Sequence, residues 1–320
     1  MKQKTILIKN ANIVNEGAIV RGDILIEGEF IKEINDSISA KSSDVYVIDA
    51  EGKYVLPGAI DDQVHFREPG LTHKANIETE SRAAIAGGIT SFIEMPNTNP
   101  QTTTVEKLEE KFEIAAKTSF ANYSFMFGGT NDNLEEILKV DSKTVAGLKL
   151  FLGSSTGNML VDDPKVLEKI FKSTDMVISV HCEDEATIKK NLQEHLEKFG
   201  DAIPMRYHPI IRSEEACYLS SSKAIELAKK TGARLHVFHL STGKETNLFS
   251  NKIPLKDKKI TAEVCIHHLW FNDTDYDKKG THIKWNPAVK TEKDRTQLWD
   301  ALLDDRIDVI ATDHAPHTIE

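Results

Sequence analysis
The apolar run Val309-Ile310-Ala311-Thr312 is followed at once by Asp313-His314-Ala315-Pro316-His317. A carboxylate and imidazoles at the end of a buried strand are the donor types from which metal sites are built. Other apolar runs end in the same kind of residue: Val177-Ile178-Ser179-Val180 in His181, Val237-Phe238 in His239, Gly147-Leu148 in Lys149, and Val64 in His65 with Arg67 two positions on. One histidine so placed is ordinary packing, whereas a series of them suits a zinc centre, since neutral imidazole is a favoured zinc donor. Lys149 is unusual within Val145-Ala146-Gly147-Leu148-Lys149-Leu150-Phe151. Burying a lone ammonium is expensive and lowers its pKa. A neutral amine can add carbon dioxide and become a carbamate, a carboxylate on a long arm able to bridge two cations. A lysine that reaches solvent along its aliphatic stem is the alternative.

Two-residue alternation along Ala59-Ile60-Asp61-Asp62-Gln63-Val64-His65-Phe66-Arg67 puts Asp61, Gln63, His65 and Arg67 on one face. Such a polar face needs ligands or partners to offset its desolvation. His236 is three residues from His239, so the same alternation assigns it to the opposite face, as packing. His267 and His268 are expected to cap or line the seventh run below, and Glu263 shares its inward parity with Cys265.

These residues must be positioned by elements of two kinds. Up to residue 55, Ile6, Ile8, Ile24, Ile26, Ile31 and Ile34 are interrupted by Asn10, Asn15, Gly17, Gly22 and Gly28, which predicts a small antiparallel unit. From Val55 onward, β-rich runs near 55–66, 89–95, 122–127, 145–152, 176–181, 234–239, 260–265 and 308–313 alternate with amphipathic stretches such as 104–116, 164–172 and 214–230. Eight such units predict a TIM-type (β/α)8 barrel, an α/β fold. Its active site would gather at the C-terminal mouth of the strands, so distant polar strand ends would converge there. Lys252 to Lys259 reads as a solvated loop.

Composition agrees with an enzyme acting on small molecules. The chain has 320 residues, 40% hydrophobic and 28% charged, and no apolar stretch approaches the roughly 20 residues of a membrane helix. A net charge of −10 with scattered Lys and Arg argues against nucleic acid or an anionic membrane as partner. Three cysteines without paired spacing argue for a reducing compartment, and Met1-Lys2-Gln3-Lys4-Thr5 opens no secretory signal, so a cytoplasmic location is expected.

Taken in order, the segments resemble the amidohydrolase superfamily and, within it, the dihydroorotases. The resemblance rests on His65-x-Arg67-Glu68-Pro69-Gly70, Met95-Pro96-Asn97-Thr98, Gly147-Leu148-Lys149, His181-Cys182-Glu183, His239-x-Ser241-Thr242, Glu263-x-x-x-His267-His268 and Asp313-His314-Ala315-Pro316-His317, and spans nearly the whole chain. It implies a metallo-hydrolase barrel over residues 56–320 beside a small β-sandwich subdomain, to which residues 1–55 contribute the N-terminal strands. It also implies reversible zinc-dependent interconversion of (S)-dihydroorotate and N-carbamoyl-L-aspartate in pyrimidine (UMP) biosynthesis. His65 and Asp313 would hold one zinc ion and His181 and His239 a second, with carboxylated Lys149 bridging them. Asp313 would move the proton to the departing nitrogen. Arg67, Asn97, Asn286 and His317 would bind substrate, with Arg67 gripping the carboxylate that distinguishes dihydroorotate from dihydrouracil.

Two departures from the family pattern stand out. Gln63 occupies a position where the family carries a metal-binding histidine, which leaves a single ion as an alternative. Relatives also continue past the equivalent of Glu320, so the barrel is expected to lack its C-terminal end and to expose apolar surface. Two further readings remain: a noncatalytic dihydroorotase-like scaffold, and a hydantoinase- or allantoinase-type cyclic amidase. A homodimer is left open.

Overall fold
The computed structural model describes residues 5–39, 44–153 and 159–319. The chain divides into two compact units, Met1–Ala59 and Ile60–Glu320. The first contains β1 (Thr5–Asn15), β2 (Ala18–Glu27), β3 (Phe30–Asn35), β4 (Val45–Asp49) and β5 (Tyr54–Val55). The hairpin between β1 and β2 turns on Glu16 and Gly17, both with positive φ (48° and 76°), as a two-residue loop matching strand twist requires. The expectation of an antiparallel unit holds for only some of its strands. Strands β1, β2 and β3 are antiparallel, but β4 and β5 both pair with β1 in parallel, because the chain crosses over after β3 instead of turning back. The result is one mixed sheet.

The second unit is the barrel. All eight expected runs form strands: β6 (Ala59–Val64), β7 (Ile89–Glu94), β8 (Asn122–Gly128), β9 (Gly147–Phe151), β10 (Ile178–His181), β11 (Leu235–Val237), β12 (Ile260–Cys265) and β13 (Val309–Ala311). They follow one another in sequence order around the sheet, and β13 closes on β6 through the Val64–His314 bridge and a 2.7 Å hydrogen bond from His65 N to His314 O. Leu148, Leu150, Ile178, Val180, Leu235, Val237, Ala262 and Val264 pack in one cluster with Ile170, Phe171, Ala224, Ala228 and Leu298 of the surrounding helices. The alternate residues, Lys149, Ser179, His181, His236 and Glu263, are left for the interior. Several helices open on a side chain that accepts first-turn amides, among them Thr104, Asp163, Asp184, Ser213 and Thr291, so the loops at the mouth are pinned where each helix starts.

The solvated-loop reading of Lys252 to Lys259 holds except at Lys258, whose head is tied down. Its Nζ donates to Asp308 Oδ1 at 2.6 Å and Asp305 O at 2.7 Å, bracing the approach to β13. On the outer side of β6 and β13, an apolar groove of about 710 Å³ is lined by Phe66, Phe92, Ile266 and Trp270 among others.

A buried ion pair fixes β7 against helix Val105–Thr118. Lys111 and Glu94 are both fully buried and in contact, and Lys111 Nζ also donates to Met95 O at 2.9 Å. Burial pushes Glu94 up and Lys111 down, each opposed by the charge of the other. Removing one partner strands a buried charge, whereas replacing both with apolar groups does not. Lys111→Met is expected to lower stability to urea by about 3–5 kcal/mol, and adding Glu94→Leu to recover most of that loss.

Candidate active site at the mouth of the barrel
The loops leaving β6 and β7 meet above the strands. Gly70 has φ 81°, and a Cβ there would overlap the Asn99 carbonyl, so only glycine lets the loop after Arg67 lie against the loop carrying Asn97. Three non-glycine residues adopt left-handed backbone where chain leaves the barrel: Arg67 (φ 71°), His239 (φ 39°) and Asp313 (φ 48°). Such conformations store strain, which fixes the direction of each side chain at the expense of local stability.

These exits surround a cavity of about 1190 Å³. Its walls bring together all ten residues singled out by sequence: Gln63, His65, Arg67, Asn97, Lys149, His181, His239, Asn286, Asp313 and His317. His181 donates through Nε2 to Glu183 Oε2 at 2.9 Å, since a carboxylate can only accept, and this leaves Nδ1 with a lone pair. That Nδ1 lies 3.0 Å from His239 Nε2. Burial drives both imidazoles below their ordinary range, His239 far below it, with neighbouring positive charge adding to the effect. Two neutral imidazoles with facing nitrogens are suited to turn their lone pairs to one cation.

Glu183 behaves as an ionised anchor. Burial alone would raise it, but the hydrogen bond from His181, together with the charges of Arg212 and Lys290, holds it below the usual carboxylate range. Elsewhere in the cavity His65 Nε2 lies 3.1 Å from Asp313 Oδ1. Burial would raise Asp313 as well. His65, His267 and Lys149 hold it below the ordinary range, so it is a carboxylate at neutral pH. Between these pairs, Lys149 is 1% exposed, with Nζ 4.0 Å from the Phe238 ring centroid and 4.9 Å from that of Phe151. Burial brings its ammonium down to about 8, against the attraction of Asp313 and Glu263. The donor set therefore fits divalent cations, with two imidazoles, an imidazole–carboxylate pair and a lysine whose neutral form is accessible.

Two placements differ from expectation. Asp61 does not share the face of Gln63 and His65: its carboxylate accepts from Thr312 N at 3.1 Å and Thr312 Oγ1 at 2.5 Å, tying β6 to β13. Asp62 reaches across the barrel instead, its Oδ2 lying 3.6 Å from His236 Nε2. His236 is thus inside the barrel rather than on the opposite face, hydrogen-bonded to Thr261 Oγ1 at 2.8 Å and close to Glu263, because the left-handed turn at His239 breaks the alternation. Gln63 is 1% exposed, and its Oε1 accepts from the Cys265 thiol across 3.7 Å.

Glu263 accepts from His239 N at 3.1 Å and so holds that residue's backbone in place. His267 and His268 brace the segment that carries Asn286: His267 stacks on Trp285 with ring centroids 4.3 Å apart, and His268 donates to Pro287 O at 3.0 Å. At the rim, Arg67 Nε donates to Pro316 O at 3.0 Å, which orients the fork and leaves its Nη groups for a ligand. Lys74 lines the cavity beside Arg67, and both repel the proton of His317.

Sequence reasoning missed Lys74, Glu183 as an orienting residue, and Arg212. Only Glu183 carried a signal, its position two residues after His181. No helix among the described residues is long and apolar enough to cross a membrane.

Fold and site define a hydrolase of the amidohydrolase class, a (β/α)8 barrel with its donor residues at the strand ends. The family profile described as Dihydro-orotase-like matches residues 52–246, and the chain belongs to this family. It is 34% identical over 329 residues to the dihydroorotase of Staphylococcus epidermidis, covering 98% of this chain and 73% of that protein. It is also 34% identical over 316 residues to the allantoinase of Bacillus velezensis, covering 97% and 68%. Among solved structures, the L-hydantoinase (dihydropyrimidinase) of Arthrobacter aurescens superposes with a TM-score of 0.91 at 28% identity, over 98% of this chain and 70% of that one.

The facing imidazoles make a direct prediction about cations. Titrated with Co2+ and followed by its visible absorption, the wild-type chain is expected to show a saturable low-symmetry band that His239→Ala abolishes. Glu183→Gln, which loosens the orientation of His181, should weaken binding roughly 10- to 100-fold. Unchanged Co2+ affinity in His239→Ala would remove the imidazole pair as ligands.

Proposed function
We propose that this chain hydrolyses (S)-dihydroorotate to N-carbamoyl-L-aspartate and runs the reverse ring closure, in cytoplasmic pyrimidine (UMP) biosynthesis. The observation that carries the reading is the anchored Arg67 fork at the rim of the same cavity that holds the His181–His239 pair. A ring with a carboxylate fits a site with a cationic rim and a donor set for metal below it. The dihydroorotase relatives support this choice of ring.

His65 and Asp313 would hold one zinc ion and His181 and His239 another, with Lys149 bridging once carboxylated. A divalent cation there supplies Lewis acidity, lowering the pKa of water and polarising a carbonyl. Gln63, engaged with Cys265, would support the wall rather than bind the first ion as strongly as a histidine. Asp313 is ionised and at the centre of the cavity, so it accepts the proton of the attacking water and returns it to the ring nitrogen as the C–N bond breaks. The carbonyl carbon becomes a new carboxylate, the second proton of the water passing to solvent, and the nitrogen becomes the terminal amide of the carbamoyl group. Arg67 binds the substrate carboxylate end-on through its Nη groups, while Asn97, Asn286 and His317 line the remaining wall.

The likeness to an allantoinase and an L-hydantoinase favours a second reading, in which the ring carries no carboxylate. Loss of dihydroorotate absorbance, with zinc and bicarbonate present, should therefore be followed beside dihydrouracil, hydantoin and allantoin. Turnover of dihydroorotate alone is expected. Equal turnover of the uncharged rings would shift the assignment to a general cyclic amidase, and no turnover by folded, zinc-loaded protein would favour the noncatalytic scaffold.

Arg67→Met is expected to raise KM for dihydroorotate roughly 100-fold while zinc content stays at the wild-type level. An unchanged KM would remove the carboxylate clamp. Lys149→Ala should lower kcat by roughly a thousandfold or more, with partial recovery on adding a short carboxylic acid that fills the vacated space. A variant with full zinc and full activity would make Lys149 a structural residue only.

A further inference from the structure
Asn286 turns one edge of its amide to the cavity and the other to Arg212. Arg212 ends the short helix His208–Ile211 and is 7% exposed. Its Nε donates to Asn286 Oδ1 at 2.7 Å, and its Nη1 donates to Glu183 Oε2 at 3.1 Å. The same helix also holds the neighbouring backbone, because His208 Nε2 donates to Trp285 O at 2.7 Å.

A guanidinium has donors and no acceptor, so the Asn286 atom that faces it has to be the oxygen. The reverse assignment would set N–H against N–H and leave the buried guanidinium without that acceptor. The Nδ2 group is therefore the edge left for the cavity that Asn286 lines. Glu183 joins this arrangement to the metal donors, since its Oε2 accepts from both Arg212 and His181.

We propose that Arg212 is a positioning residue: it locks the Asn286 amide with its donor edge toward the substrate, so that this position recognises a ring carbonyl oxygen, and it couples that recognition to His181 through Glu183. The proposal rests on the reading that the cavity binds a cyclic amide. It goes further in naming which substrate atom meets Asn286 and what holds Asn286 to that task.

The test compares the zinc-loaded full chain with Asn286→Asp, Asn286→Ala, Arg212→Met and the double variant Arg212→Met/Asn286→Ala, measuring KM, kcat and zinc retention. Asn286→Asp keeps an acceptor for Arg212 but replaces the cavity-side donor with an acceptor. It should raise KM roughly tenfold to a hundredfold with zinc retention unchanged. Arg212→Met frees the amide and should raise KM roughly tenfold. The double variant should be no worse in KM than Asn286→Ala, because Arg212 acts on substrate through that residue. Arg212→Met should in addition release zinc faster, through Glu183, whereas Asn286→Ala should not.

A wild-type KM in Asn286→Asp would overturn the donor assignment. A double variant whose KM penalty is the product of the two single penalties would make Arg212 independent of Asn286. If Arg212→Met fails to fold, since Glu183 then loses a buried partner, Asn286→Asp decides the matter alone. Failure of the substrate reading looks different. The wild type would then leave dihydroorotate untouched, and the same variants are compared on whichever of dihydrouracil, hydantoin or allantoin it hydrolyses. Hydrolysis of none of these rings would sink both readings.

Discussion
The site depends on the seam where the last barrel strand meets the first. At that seam His65 N donates to His314 O, and the Asp61 carboxylate takes both the amide and the hydroxyl of Thr312. These bonds set the height of β13 against β6, and only at that height do His65 and Asp313 approach each other from opposite ends of the barrel sequence. Burial of Asp61 is unfavourable in itself: it raises the pKa of the group above the ordinary value, and the bonds from Thr312 only partly offset that. A polar clasp in an apolar layer is weak as a source of stability but selective for register. A slip of β13 by one residue would leave a buried carboxylate without its donors.

A second consequence of the seam is the backbone beyond it. Arg67 and Asp313 turn left-handed as soon as they leave the paired region, and His239 does the same where β11 ends. Regular strands would send successive side chains alternately in and out, giving one inward residue in two. The turns break that rule, so His236, Phe238 and His239 all contribute to the interior or its lining. The strain is held by packing beneath: Glu263 ties His239 N, and the Pro316 carbonyl holds the Arg67 side chain.

This also explains what could be read from the sequence. Parallel barrel strands are buried on both faces, so runs such as Val177 to Val180 and Leu235 to Phe238 stand out as mostly apolar segments, and a polar residue ending such a run is conspicuous. Lys149, His181, His239 and Asp313 were legible for that reason. Asp61 and His236 were misplaced because alternation is a rule for regular strands, and it fails at the seam and at a left-handed turn. The parallel pairing of β4 with β1 was not legible either, since no local residue pattern records which distant strand lies alongside. Arg212 is the extreme case. It lies in an irregular connection, and its importance comes entirely from Asn286 and Glu183, each remote in sequence.

Charge in the cavity is layered, and the layering decides what can occupy each level. Arg67, Lys74 and His317 share the rim: Lys74 is lowered by burial and by Arg67, and His317 by burial and by both of them. The floor is acidic. Burial pushes Glu263 up to about 8, with the charge of Asp313 adding to the effect, and pushes Asp62 up to about 8, with Glu263 adding to it. The rim thus keeps the positive charge of Arg67 and Lys74, which an anionic group would relieve, while burial and mutual repulsion favour the protonated form of Glu263 and Asp62, which a cation bound nearby would drive toward the carboxylate. Asp313 joins the two, attracting Arg67 on one side and Lys149 on the other. A substrate bearing a carboxylate at one end and a scissile carbonyl at the other would be oriented along this gradient before any close contact formed, which is why the spacing between rim and floor, and not the donor set alone, would select the ring.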